Sequence, residues 1–156
     1  MIPYKLQEEL KQVVLEVTKT IHLMNPDGKK AVLNVFYQDL PKPETDEDAD
    51  PYPYCIIRLI NGKANPVDGE QNSVRVALLF GIYDMDTKNQ GHLTVISIIN
   101  KIIERFSKNN AMKTFFQQGN IEWVLDDEDA FPYFFGGIDM TFIPTMFIRR
   151  ELEQYL

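Results

Sequence analysis

One cysteine, two histidines and one tryptophan are all that this 156-residue chain has of those residue types. With Cys55 alone, neither an intrachain disulfide nor a multi-cysteine zinc site can form. No apolar run approaches the roughly 20 residues that a bilayer crossing needs. The opening MIPYKLQEELKQ is charged within its first turns and has no apolar core, so neither a membrane span nor a signal peptide is expected. Basic residues are scattered, with doublets only at Lys29-Lys30 and Arg149-Arg150. A reader of duplex nucleic acid needs a basic stripe, because phosphate neutralisation supplies most of its affinity. Sequence-specific nucleic-acid binding is therefore not expected. The glycines form no GxGxxG motif and no P-loop, and no GxSxG is present.

What is present is an apolar fraction of 44% and a net charge of −7, enough to bury one core in a single soluble domain over 1–156. Leu6, Leu10, Val13, Val14, Val17, Ile21 and Met24 recur at steps of three and four, predicting an amphipathic helix closed by Asn25-Pro26-Asp27-Gly28. A strand is expected over Ala31 to Leu40. PKPETDEDADPYPY, residues 41–54, combines four prolines with five acids and predicts a solvated loop. Strands follow at Cys55 to Gly62 and at Ser73 to Asp84, the second alternating Val74, Val76, Leu78, Phe80 and Ile82 against Ser73, Arg75, Ala77, Leu79 and Gly81. An Ile-rich helix is expected from about Gly91 to Ser107, with Ala111 to Gln117 as a short amphipathic extension. Asn120 to Asp126 alternates as a strand, and so does the stretch after Gly136-Gly137, where Pro144 argues for an edge or a bulge. The fold class that results is α+β: a mainly antiparallel sheet carrying two helices, in the order helix-β-β-β-helix-β-β.

Candidate chemistry is thin. Asp84-Met85-Asp86 begins like a calcium loop, but the fifth, sixth and twelfth positions hold Lys88, Asn89 and Val95. These are not the oxygen ligand, Gly and Glu that such a loop requires. Cys55 opens an apolar strand, where a free thiol packs as a small hydrophobe, and no catalytic signature surrounds His22 or His92. The acid runs Glu44 to Asp50 and Asp126 to Asp129 suit hard cations, which leaves a small metal-dependent enzyme as the alternative class. No cofactor is expected.

Aromatic residues are more telling. Tyr52 and Tyr54 flank Pro53 before one strand, and Phe131, Tyr133, Phe134 and Phe135 flank Pro132 before another. Proline keeps such segments extended and denies them ladder hydrogen bonds. The rings either cap the core or form an apolar interface centre with an acidic rim.

In order and spacing, these pieces resemble the tail terminator (tail completion) proteins of long-tailed bacteriophages and their prophage relatives in Gram-positive bacteria. The likeness is carried by the N-terminal amphipathic helix, PYPYCIIRL, FGIYDMD, GHLTVISIINKIIERF, DDEDAFPYFFGG and the closing IPTMFIRRE. It implies a structural virion protein without catalytic residues, drawn from the host cytoplasm. Such a subunit closes into a ring, commonly a hexamer, ends polymerisation of the tail tube and offers a surface to the head connector. Its partners would be copies of itself, the tube protein and the connector protein. The interface candidates are Tyr52, Tyr54, Asp84, Asp86, Phe131, Tyr133, Phe134, Arg149 and Arg150. A head–tail connector or head-completion subunit is the alternative role in the same particle.

Overall fold

The computed structural model describes residues 3–44, 50–64 and 72–145. Among the described residues, two helices and seven strands make an α+β fold, the class that the periodicities predict. Helix α1 spans Pro3–Thr18, with proline at a helix start, where its missing N–H costs nothing. It buries Leu6, Leu10 and Val14 completely. The apolar stripe continues to Met24, but the helix does not. Thr18 turns its hydroxyl back onto the Val14 carbonyl at 2.7 Å, and Leu23 enters a two-stranded ribbon instead. That ribbon pairs β1, Leu23–Met24, with β2, Lys30–Ala31, around a turn in which Asn25 Oδ1 accepts from the backbone of Asp27 and Lys29.

The expected strand over residues 31–40 is therefore split, and its second half is β3, Asn34–Tyr37. Long strands β4, Tyr54–Lys63, and β5, Ser73–Tyr83, lead into α2, His92–Lys108. The last described elements are β6, Phe115–Leu125, and β7, Tyr133–Pro144. Residues 111–117 do not extend α2. Phe115 to Gln117 begin β6, which incorporates a register shift between Gln118 and Glu122. The loop over 41–54 is not wholly solvated either, because Pro53 and Tyr54 are buried and Tyr54 already belongs to β4. Residues 45–49 of that loop, with most of its acids, lie outside the described residues.

The main sheet has the order β3-β4-β5-β7-β6 and is antiparallel except for the β3–β4 pair. β7 lies between β5 and β6, but its pairing with β5 stops at Phe142 while Phe115 of β6 still pairs with Pro144. Thr145 N bonds to Thr114 O, so by alternation the missing N–H of Pro144 falls on the side that has no partner strand among the described residues, a local edge as expected. Inward side chains from β4, β5 and β7, among them Ile57, Leu78, Phe80, Met140 and Phe142, form one cluster with both helices. Ile98, Ile99 and Ile102 of α2 are sealed into it, and burying each such side chain is worth about 1.5–3 kcal/mol. That burial, more than intrinsic propensity, holds the β-branched helix.

Among the described residues, both helices pack on this one face. The other face shows Arg58, Ala77, Leu79, Asp139 and Val124, with Arg75 and Asp139 joined as a forked ion pair across β5 and β7.

Candidate interaction surface

Three segments distant in sequence meet at one end of this sheet. β4 and β7 begin there and β5 ends there, because Tyr54 is paired with Gly81 and Gly81 with Phe135. The outward alternation along these strands puts Tyr83, Tyr133 and Phe135 on the helix-free face. Tyr52 lies over them, its ring centroid 4.5 Å from Tyr133, 5.1 Å from Tyr54 and 6.2 Å from Phe135. Tyr83 continues the cluster, 5.8 Å from Tyr133. Tilted and edge-on rings at such distances are the arrangement that aromatic quadrupoles favour.

Glycine makes room for part of this cluster. A Cβ at Gly81 would lie 2.3 Å from the Tyr54 ring, so that ring rests directly on bare backbone. Gly91, just ahead of α2, serves Phe134 in the same way at 2.3 Å.

The end is rimmed with carboxylates. Asp50 Oδ1 accepts from the Tyr52 backbone N at 3.0 Å. Asp84 Oδ1 accepts from Asp86 N, and Asp86 Oδ1 accepts from Lys88 N. Asp126 and Asp129 do the same for Glu128 N and Phe131 N. The two acidic turns are tied together by Asp84 N donating to the Pro132 carbonyl at 2.8 Å. A groove of ≈470 Å³ runs between the start of α2 and this turn, lined by His92, Leu125, Asp126 and Phe134 among others.

Burial and neighbouring charge shape the phenols. Desolvation, with Tyr54, Asp50 and Tyr133 close by, pushes the Tyr52 pKa up to about 12. Burial also raises that of Tyr54. Both stay protonated near neutrality and act as neutral hydrogen-bonding groups. Burial likewise pushes the Cys55 thiol up, and its side chain is fully sealed in the core, away from solvent. Among the described residues, no three of His, Cys, Asp and Glu come together as a metal-binding group.

The nine interface candidates thus separate. Tyr52 and Tyr133 are half-buried and central to the cluster, and Phe131 is exposed beside it. Tyr54 is not displayed, because its ring is packed over Gly81 with 8% of its surface left. Phe134 faces the helix side, against Gly91 and the core. Asp84 and Asp86 shape the turn before α2 by bonding backbone N–H groups. Arg149 and Arg150 lie outside the described residues.

Sequence reading did not pick out Tyr83, although it is the next outward position after Gly81. It also left out Trp123 and Val124, which stand 54% and 63% exposed on the edge strand β6. No helix among the described residues is long and apolar enough to cross a membrane. Compared with protein-family models and with curated proteins, the sequence matches none.

Proposed function

We propose that the protein acts by contact and not by catalysis, as a ring-forming subunit that caps the tail tube of a long-tailed phage. The cap stops tube growth and presents a surface to the head connector. One observation carries this reading: PYPYC, FGIYDMD and DDEDAFPYFFGG, three of the segments behind the resemblance, converge on one sheet end. There Tyr52 meets Tyr133 at 4.5 Å, and Asp84 N meets the Pro132 carbonyl at 2.8 Å. Half-buried rings within a carboxylate rim have the apolar centre and polar border of a protein–protein contact. A net charge of −7 keeps the free subunit soluble until its partners cover that surface. In the assembled particle the protein belongs to the tail or neck of the virion.

The test is to disrupt the gene in the phage or prophage that carries it and to examine the particles by electron microscopy. Overlong tails, or tails unjoined to heads, are the expected outcome. Leaky heads with normal tails would instead assign the protein to head completion, and unchanged virions would remove it from morphogenesis altogether.

A further inference from the structure

Among the described residues, β4 and β6 are each covered on their outer side along only part of their length. On one margin, β3 pairs with Tyr54 to Ile57 of β4. Beyond it the Gln38 side chain substitutes for a strand: its Oε1 accepts from Leu59 N at 2.7 Å and its Nε2 donates to Leu59 O at 3.3 Å. From Ile60 to Lys63, β4 has no partner on that side among the described residues. On the other margin, Asn110 to Met112 cover Phe115 to Gln117 of β6. From Ile121 to Leu125, β6 has no outer partner among the described residues.

The two open halves match in direction, alternation and chemistry. Within the sheet β4 and β6 run antiparallel, so a neighbouring copy in the same orientation would bring β6 antiparallel to β4. Asp126 N bonds to Phe135 O on β7, so by alternation Trp123 and Leu125 turn their backbone groups outward. On β4, the Ile57 carbonyl faces outward to Gln38 N. Arg58 therefore faces Ala77, and two residues along β5 Arg75 faces Asn61, which leaves Gly62 outward.

Trp123 and Gly62 also share the helix side of the sheet, being paired with Ile138 and Val74 of the core. Beside Gly62 lies a notch of ≈270 Å³ lined by Pro3, Leu59, Ser73 and Val74. Gly62 is flat of necessity, because a Cβ there would sit 2.4 Å from the Ser73 carbonyl oxygen. The flanking residues Glu122 and Lys63 are exposed, on the opposite side of the sheet, and opposite in charge.

We propose that the open half of β6 in one copy adds to the open half of β4 in the next, with Trp123 over Gly62 and Glu122 facing Lys63. Two different margins meet, so the contact is head-to-tail and leaves each copy ready for another neighbour. As the joint of the ring it rests on the function proposed above; as a contact between copies it is tested separately.

The only native thiol is the sealed Cys55, so introduced cysteines report cleanly. In this register positions 63 and 122 form a non-hydrogen-bonded pair, with Cα atoms about 4.5 Å apart. That lies within the roughly 4.4–6.8 Å of disulfides. Lys63→Cys and Glu122→Cys variants, mixed at high concentration under mild oxidation, should give a covalent heterodimer. The doubly substituted chain should give a ladder of multimers. Adding Trp123→Glu, with folding verified by circular dichroism, should cut the yield on the order of tenfold or more, as for a hot-spot tryptophan. Absence of the heterodimer, equal homodimer yields from either variant alone, or indifference to Trp123→Glu would each overturn the proposal. Cross-linked multimers from a protein whose loss leaves tails normal would refute the tail reading and leave this contact standing.

Discussion

Tyr52 and Tyr133 are 81 positions apart in the chain, yet their rings sit 4.5 Å apart and tilted by 38°. No strand ladder joins them directly. They meet because β4 and β7 both pair with β5 and begin within two residues of each other along it, at Gly81 and Tyr83. The contact therefore reports on the whole register of the sheet and on the surface built at its end.

The first consequence concerns pH. The Tyr52 pKa is raised from 10.0 to about 12, chiefly by desolvation, so the folded state holds the phenolic proton more tightly than the unfolded chain does. That contribution to stability is complete below pH 10 and is lost as pH climbs towards 12. Denaturant midpoints measured across this window should fall, and Tyr52→Phe should flatten the decline. An identical slope in the variant would contradict the assignment.

Gly81→Ala tests the glycine seat under Tyr54. The new methyl would have to displace a ring 2.3 Å away, and overpacking of this kind costs about 1–3 kcal/mol. Equilibrium unfolding should show that loss, with a weakened near-ultraviolet dichroism signal from the tyrosine cluster. Wild-type stability would mean that Tyr54 does not rest on this glycine.

An amide pair, Gln7 buried and Gln38 exposed, joins α1 to the sheet margin. Gln7 Nε2 donates to Gln38 Oε1 and to the Ile57 carbonyl, each at 2.9 Å. Gln38 adopts φ 71, which ends β3 and swings its side chain back along β4. Gln7→Ala should cost about 1–3 kcal/mol. A double-mutant cycle with Gln38→Ala should give a coupling of about 0.5–3 kcal/mol, because the two share partners. Strict additivity would contradict the link.

Local patterning makes part of this architecture readable from the chain. The stripes of α1 and α2 and the alternation of β5 are strong because each is long and repeats one period. The end of α1 is not readable in that way. Ile21 and Met24 continue a helical spacing, yet the helix stops at Thr18 and Met24 enters a ribbon whose turn is held by the Asn25 side chain. Likewise Ala111 to Gln117 is too short for its period to decide, and pairing of Phe115 with Pro144 makes its second half a strand. The parallel β3–β4 pair leaves no mark in the sequence either, since it depends on how the chain returns between them.

The surface was legible in composition but not in orientation. Proline-flanked rings predicted aromatic clusters at strand starts, and they lie there. Which rings face out depends on register: Tyr54 is covered over Gly81 and Phe134 turns to the core, while Tyr83 joins from a strand end. Replacing Phe134 would therefore disturb packing, whereas Tyr52 and Tyr133 are the positions at which contact and folding can be separated.

The measurement that bears most directly on a contact role is the length distribution of tails assembled with a Tyr52→Ala/Tyr133→Ala subunit that is shown to be folded. Tails that overrun their normal length or fail to join heads are the predicted result. Tails of normal length, joined to heads as usual, would contradict it.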